Sequence, residues 1–248
     1  MSTKHPIIAV TGSSGAGTTS VTRTFNWIFR RERINAALVE GDSFHRYNRL
    51  EMKQKLEEAA AEGDQHFSHF GPQNNLFKEL EDLFRGYGES GRGKIRRYLH
   101  NEKEAEPFKQ EPGTFTEWQE LPKDTDLLFY EGLHGAVVTP EVNVARHADL
   151  IIGVVPIINL EWIQKLHRDR ETRGYSTEAV VDTVLRRMPD YVTTSVRSSL
   201  RPTSTSSACP RWTPRTPSPR ATYLPRTRAS WSSASPTPRG STSRISCR

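Results

Sequence analysis

The sequence has few cysteines and no long hydrophobic run. Cys209 and Cys247 are the only two cysteines among 248 residues, which excludes a disulfide framework. The longest mostly apolar stretch, residues 150–160, is shorter than the ~20 residues that span a bilayer and contains a Pro and an Asn. The N-terminal apolar stretch is too short for a signal peptide. We therefore expect a cytoplasmic protein that has no membrane partner.

Acidic residues are absent from the last part of the chain. Residues 193–248 carry ten Arg and no Asp or Glu, whereas residues 1–192 carry 25 Lys and Arg against 29 Asp and Glu. The overall net charge of +6 thus belongs to the tail. Of the 56 tail residues, 42 are Ser, Thr, Arg or Pro, so the tail buries too little apolar surface to order itself and we expect it to be disordered. One interpretation is a basic arm that binds nucleic-acid phosphates.

A second interpretation of the tail comes from the genetic code. In residues 193–248, 51 of 56 residues have codons with C or G in the middle position, against 23 of 60 in residues 131–190. A GC-rich gene concentrates C and G in third codon positions, and a shifted reading frame moves them into second positions. We therefore favour an out-of-frame translation over residues 193–248, a coherent domain over residues 1–192, and no nucleic-acid partner.

Apolar runs and helical patterns alternate along residues 1–192. Strands are predicted at 6–10, 36–40, 126–130 and 148–155, the last two as central parallel strands, and helices at 18–31, 49–62, 74–87, 159–172 and 176–188. Residues 88–125 predict loops with room for a peripheral hairpin. The alternation indicates an α/β fold with a doubly wound sheet and flanking helices. Because such a fold normally needs about five strands or more, we expect it to be incomplete at the C-terminus.

A glycine-rich loop follows the first predicted strand and precedes a helical pattern. The spacing of Gly12 and Gly17 is that of a nucleoside-triphosphate loop, in which backbone N–H groups and a helix N-terminus face the phosphates. Thr18 stands where such loops have Lys, and Thr19 is placed to ligate Mg²⁺. The alternative is a Gly/Ser-rich turn without a ligand. The candidate ATP-binding residues are Gly12, Ser13, Ser14, Gly15, Ala16, Gly17, Thr18, Thr19 and Ser20.

Two acidic residues stand at the ends of later predicted strands. Asp42 follows strand 36–40 and is placed to accept the proton of an attacking hydroxyl, although an ordinary turn or N-cap Asp is the alternative. The adjacent His45 and Arg46 suit a phosphorylated substrate. Glu131 follows strand 126–130, where a carboxylate could hold Mg²⁺ or its water.

A group of charged residues lies on the predicted helix 159–172 and just after it. Lys165, Arg168 and Asp169 share one helical face, and Arg173 lies one turn beyond Asp169. A solvated helix face is the usual meaning of such a run. A lid that brings cations to phosphates needs the same arrangement.

Four motifs carry a resemblance to a known family. The stretch KLHRDRETRGYSTE at 165–178, with GSSGAGTTS, EGDSFHRYNR and YEGLHG, resembles the bacterial, proteobacterial-type branch of the phosphoribulokinase family, including the absence of the loop Lys. The resemblance runs from residue 5 to about 192 and then stops, which supports the frameshift. It implies a P-loop kinase-like fold and ATP-dependent phosphorylation of ribulose 5-phosphate to ribulose 1,5-bisphosphate in the Calvin cycle.

The resemblance also implies roles for individual residues. Asp42 would be the catalytic base, Lys165 would supply the cation that Thr18 does not, and Asp169 would be an active-site acid. Thr19 and Glu131 would contact Mg²⁺-ATP. The residues implied to bind substrate phosphates are His45, Arg49, Arg168 and Arg173. The resemblance further suggests a homo-oligomer activated by NADH.

Two other functions remain open on the sequence. A uridine-kinase-like nucleoside kinase shares the phosphate loop and the acid at the strand end, although the HRYNR stretch and the 165–178 signature favour a sugar phosphate. A non-catalytic nucleotide-binding protein would keep the loop without needing Asp42 or the charged helix.

Overall fold

A computed structural model describes residues 4–156 and 158–192, apart from the side chains of Thr172 and Arg173. The tail 193–248, both cysteines and the predictions made for them lie outside the described residues. The division of the chain at residue 192 therefore stays a prediction. Within the described part, no helix combines the length and the apolar character needed to cross a membrane.

Among the described residues, four parallel strands form the main sheet, and two short strands form a separate antiparallel pair. In the main sheet the spatial order is β2-β5-β1-β6, and every neighbouring pair is parallel. The strands are β1 (Ile7–Gly12), β2 (Ala36–Glu40), β3 (Lys94–Ile95), β4 (Gln119–Glu120), β5 (Leu127–Gly132) and β6 (Leu150–Val154). The β3–β4 pair lies within residues 88–125, where loops and a peripheral hairpin were expected, but residues 96–118 separate its two strands, so it is not a tight hairpin.

Helices connect the strands and lie close to the predicted positions. The helices are α1 (Thr18–Glu32), α2 (Arg49–Ala61), α3 (Phe77–Ser90), α4 (Glu102–Ala105), α5 (Ile158–Arg173) and α6 (Thr177–Asp190). The start of α2 is fixed locally, because Asn48 and Glu51 form a capping box that satisfies two free backbone N–H groups. The predicted α/β architecture with a doubly wound sheet is confirmed.

The core lies on both faces of the sheet because strand side chains alternate between faces. On one face, Leu80 and Phe84 of α3 pack in one buried cluster with Ile7 of β1. On the other face, Phe29 of α1 packs with Val10 of β1. The near-continuous apolar sequences of β1 and β5 follow from this covering of both faces.

Strand β6 differs from the sequence expectation. Residues 148–155 were expected to form a central strand, but among the described residues β6 pairs with β1 alone and lies at the sheet edge. Leu150 is 42% exposed, whereas the β1 residues Ile7 and Val10 are fully buried. Apolar composition indicates that a strand is buried by its neighbours but does not say how many neighbours it has, so the pattern could not place β6.

Candidate active site

The phosphate loop joins β1 to α1 at the carboxyl edge of the sheet. Gly15 and Gly17 have positive φ angles of 105° and 96°, which only glycine adopts without strain, and Ala16 donates its N–H to the Ser13 carbonyl over 3.0 Å. Helix α1 begins directly after Gly17, so its N-terminal N–H groups face the loop. The loop thus has the backbone form that the Gly12–Gly17 spacing predicts.

Helix α5 packs directly on this loop. A Cβ atom on Gly15 would lie 3.1 Å from the Glu161 carbonyl oxygen and from the Lys165 Cβ, so glycine is needed there for the close approach. The buried Ser13 hydroxyl donates to the Glu161 carboxylate, and Tyr191 donates to the same carboxylate over 3.1 Å. The sequence analysis did not single out Glu161, because a Glu on a charged helix has no distinctive pattern.

A buried ion-pair cluster occupies the face of α5 next to the loop. The Lys165 Nζ lies 2.5 Å from Asp169 Oδ2, and Arg168 donates through Nε to Asp169 Oδ1 over 3.0 Å. Lys165 is only 6% exposed. Burial lowers the pKa of Lys165 to about 8, with Arg187 as a further cause and Asp169 opposing it.

Arg168 also reaches the phosphate loop itself. Its Nη2 donates to the Ser14 hydroxyl over 3.0 Å. The face predicted from the 165, 168 and 169 spacing is therefore real, and it faces the loop rather than solvent. The side chain of Arg173 lies outside the described residues, so its predicted role has no structural description.

Glu131, at the end of β5, is the candidate magnesium ligand. Burial raises the pKa of Glu131, and a hydrogen bond from the Thr18 side chain opposes that rise. Thr18 is half-buried beside this carboxylate, whereas Thr19 is exposed at the start of α1. No cluster of three or more metal-ligating side chains occurs in the described residues. A single carboxylate beside a hydroxyl fits Mg²⁺ that is held largely by phosphates and water.

Asp42 lies in a short 3-10 turn, Gly41–Phe44, that follows β2. The turn passes close to β5, because a Cβ on Gly41 would lie 2.9 Å from the Gly132 Cα. The Asp42 side chain is 48% exposed, with Oδ1 3.4 Å from His45 Nε2 and Oδ2 3.7 Å from His100 Nε2. A half-exposed carboxylate between two imidazoles is accessible to a substrate hydroxyl.

The orientation of His45 is fixed by Asn75. The Asn75 amide nitrogen donates to the carbonyls of His69 and Gly71 over 2.8 Å each, so its oxygen faces His45 Nδ1 at 2.9 Å. We infer that Nδ1 carries a proton and that Nε2 faces Asp42. Burial alone lowers the pKa of His45, but the hydrogen bond and charge of Asp42 outweigh it and raise the pKa above its usual value.

Several basic side chains surround this turn. The Arg49 Nη2 donates to the His100 carbonyl over 2.8 Å, which brings both predicted sugar-phosphate residues, His45 and Arg49, to the border of the Asp42 turn. Arg187 of α6 acts on both sides of the site, because its charge lowers the pKa of Lys165 and opposes the rise at His45. His69 has a pKa lowered to about 3, by burial first and then by Arg187. The sequence analysis missed Arg187, His69 and His100.

The arrangement combines an accessible carboxylate, a phosphate loop and buried cations at one edge of a parallel sheet. Such an edge is where α/β sheets bind ligands. A family model described as the phosphoribulokinase / uridine kinase family matches residues 7–202. The chain belongs to this family.

Individual relatives agree with the resemblance seen in the four motifs. The chain is 69% identical over 192 residues to the chromosomal phosphoribulokinase of Cupriavidus necator. The aligned region covers 77% of this chain and 66% of that relative. It is 56% identical to the solved phosphoribulokinase from Rhodobacter spheroides, with a TM-score of 0.69, covering 79% of this chain and 67% of the other. The family resemblance inferred from the sequence is confirmed.

A more distant structure shares the fold alone. The D-glycerate 3-kinase from Cryptococcus neoformans has a TM-score of 0.52 at 14% identity and covers 82% of both chains. The chain spans just under two thirds of the length of the first curated relatives it matches.

Proposed function

We propose that the site carries out the ATP-dependent phosphorylation of ribulose 5-phosphate to ribulose 1,5-bisphosphate, the Calvin-cycle step that precedes CO₂ fixation. The observation that carries the proposal is the turn Gly41–Phe44, where Asp42 is paired with His45 at 3.4 Å beside the phosphate loop. A nucleotide-binding protein without activity would not need a half-exposed carboxylate in this position.

In the proposed reaction Asp42 is the general base. The 1-hydroxyl oxygen of the sugar forms a bond to the γ-phosphorus of ATP as the bond to the β–γ bridging oxygen breaks, and ADP leaves. Asp42 takes the hydroxyl proton, and His45, whose Nε2 lies 3.4 Å from Asp42 Oδ1, holds the carboxylate in place. The loop Gly12–Ser20 would hold the nucleotide phosphates through its backbone N–H groups.

Cations on α5 would replace the lysine that the loop lacks. Lys165 and Arg168 are held by Asp169 on the face that contacts the loop, so their charges are preorganised for the transferring phosphoryl group. Mg²⁺, when bound, neutralises phosphate charge, and Glu131 with Thr18 or Thr19 would hold it. His45 and Arg49 would contact the sugar phosphate, and Arg168 and Arg173 would hold substrate phosphates.

A substrate panel tests the proposal. We expect turnover of ribulose 5-phosphate that requires ATP and Mg²⁺, with uridine and cytidine poor acceptors, because neutral nucleosides leave the basic residues unpaired. Comparable turnover of uridine would replace the proposal by a nucleoside kinase. ATP binding without any acceptor turnover would favour a non-catalytic nucleotide-binding protein.

The interpretation of residues 193–248 decides which version of the protein should be used in this assay. We propose that residues 193–248 are an out-of-frame translation and that the 248-residue chain is poorly soluble or nearly inactive. Exposed apolar residues on the β6 side support this: Leu150 is 42% exposed and Ile163 of α5 is 55% exposed. The comparison chain is a chimera in which the corresponding C-terminal part of the Cupriavidus necator relative replaces residues 193–248.

The chimera and the gene separate the two interpretations of the tail. We expect the chimera to be soluble and active, and the nucleotide sequence near codon 193 to reveal a shifted frame that encodes family sequence. Full activity of the 248-residue chain, together with slow amide exchange beyond residue 193, would contradict the frameshift. A basic arm instead predicts that deletion of 193–248 weakens anion binding.

We further propose that the complete protein is a cytoplasmic homo-oligomer that NADH activates. Family membership supports this proposal, and no described residue bears on it directly. Light scattering of the chimera and a titration of its activity with NADH test it, and a monomer indifferent to NADH would contradict it.

A further inference from the structure

Arg96, directly after β3, links the segment between β3 and β4 to the turn that carries Asp42. Its Nε donates to the Ser43 carbonyl over 2.9 Å, and its Nη2 donates to the His45 carbonyl over 2.5 Å. These two carbonyls belong to the residues on either side of Phe44, and the first of them, Ser43, directly follows Asp42 in the sequence. One guanidinium therefore holds both the end of the 3-10 turn and the residue that leaves it.

Aromatic rings hold the guanidinium in place. The Arg96 Cζ lies 3.7 Å from the centroid of the Phe115 ring and 5.0 Å from that of Trp118. Trp118 in turn contacts Phe44 with ring centroids 5.9 Å apart. The cation is thus fixed between the Phe115 and Trp118 rings and the turn, an arrangement in which cation–π attraction is strengthened by partial desolvation.

The two carbonyls and the rings account for the Arg96 contacts among described residues, where it forms no ion pair with a carboxylate. Burial lowers the pKa of Arg96, and the charges of Glu79 and Glu51 oppose that shift. A half-buried guanidinium that donates its hydrogen bonds to backbone carbonyls rather than to a carboxylate orders the backbone that it binds.

We propose that Arg96 is a positioning residue, which holds the Asp42 turn and His45 in the geometry required for proton transfer. The proposal rests on the proposed function in so far as Asp42 is the base. Arginine is needed because its planar fork donates to two carbonyls at once while it stacks on a ring, whereas lysine offers a compact point charge.

Amide hydrogen exchange tests the structural part without any need for activity. It is measured on the 248-residue chain and on the chimera, for the parent proteins, Arg96→Met, Arg96→Lys and the control Arg92→Met, which alters an exposed arginine just before β3. In Arg96→Met we expect amides of residues 41–46 to exchange roughly tenfold faster or more, the size expected for loss of charged hydrogen bonds. Peptides from β1 and β5 should be unchanged, and Arg92→Met should match the parent.

Kinetics test whether Arg96 acts through Asp42. In the chimera we expect Arg96→Met to lower kcat by about tenfold or more, with the KM for ATP within about twofold of the parent. In an Asp42→Asn background the same substitution should cause little further loss, because the base it positions is gone. A loss of equal factor in both backgrounds would mean a general structural defect and would overturn the proposal.

The outcomes separate this proposal from the proposed function. Unchanged exchange of residues 41–46 in Arg96→Met overturns it, whatever the activity. If Arg96→Met unfolds throughout, Arg96→Lys decides: faster exchange confined to the turn supports the proposal, and parent-like exchange overturns it. Absence of kinase activity in the parent chimera refutes the proposed function, while the exchange result still decides whether Arg96 holds the turn.

Discussion

The turn that carries Asp42 and the helix that carries Lys165 stand on opposite sides of the phosphate loop, because β2 and β6 are the two outer strands of the described sheet. Asp42 is half-exposed, and Arg96, about 50 residues further along the chain, holds its turn by hydrogen bonds to the Ser43 and His45 carbonyls. Lys165 and Asp169 are buried against each other one helical turn apart. In the proposed reaction a substrate hydroxyl must reach Asp42, whereas a Lys165 cation that replaces the loop lysine must be held rigidly, so the proposed roles make different demands on the two sides.

The strands that precede the two sides do not explain this difference. Strand β2, which leads into the Asp42 turn, and β6 each have one partner among the described residues. Each leaves an apolar residue exposed, Leu38 at 50% and Leu150 at 42%. The contrast between the two sides therefore lies in how their side chains are held, with Asp42 half-exposed and Lys165 buried against the loop.

The largest effect is expected from Asp169→Asn. The substitution leaves the buried Lys165 charge without a carboxylate, which should lower the free energy of unfolding by about 3–5 kcal/mol. Urea denaturation of the chimera measures it. The double variant Lys165→Met with Asp169→Leu removes both charges and should regain most of the loss, and no such recovery would mean that the pair is not the cause.

On the Asp42 side, Asp42→Asn should lower activity rather than stability. We expect kcat to fall by about 10²-fold or more, because Asn keeps the geometry but accepts no proton, while ATP binding and urea stability stay near the parent values. Asp82→Asn on α3 is the matched control on an exposed carboxylate. A near-parent kcat in Asp42→Asn would remove this residue from the role of base.

Lys165→Met should reduce turnover more than nucleotide affinity. A cation aimed at the transferring phosphoryl group acts chiefly when charge moves in the transition state, so we expect a loss in kcat of about tenfold or more with little change in ATP affinity. Steady-state kinetics and a direct nucleotide titration measure the two quantities. A rise in the KM for ATP alone would make Lys165 a ground-state contact.

The pH dependence should follow from the lowered pKa of Lys165. With a pKa of about 8, the side chain loses its charge as the pH rises through 8, so kcat/KM for ATP should fall there, and Lys165→Arg should move the fall to higher pH. Stability should change in the opposite sense. The unfolded chain keeps this proton up to about pH 10.4, so between these values the unfolded state binds more protons and the contribution of Lys165 to stability rises with pH.

The smallest effect is expected for an ion pair of the same helical spacing at the surface. Arg186 and Asp182 lie 3.0 Å apart on α6 with the Asp side chain 73% exposed. Asp182→Asn should cost no more than about 0.5 kcal/mol in the urea assay. A cost close to that of Asp169→Asn would show that burial does not distinguish the two pairs.

Much of the frame could be predicted from the sequence. The strand 36–40 and the helix ends near residues 49 and 61 were predicted closely, because apolar periodicity and capping act within a few residues. The glycines of the phosphate loop and the shared face of Lys165 and Asp169 were predictable for the same reason, since both depend on spacing along a single segment.

Contacts between distant segments had no such signal. Ser13 meets Glu161 across 148 residues of sequence, and Arg96 meets Ser43 across 53. The edge position of β6 likewise depends on which strands pair, and the orientation of His45 depends on how the Asn75 amide is held by carbonyls of another loop. Local sequence therefore determined which elements form and which residue types line the loop. Only the tertiary structure decided which side chains meet around it, because those pairings are set by the packing of segments far apart in the chain.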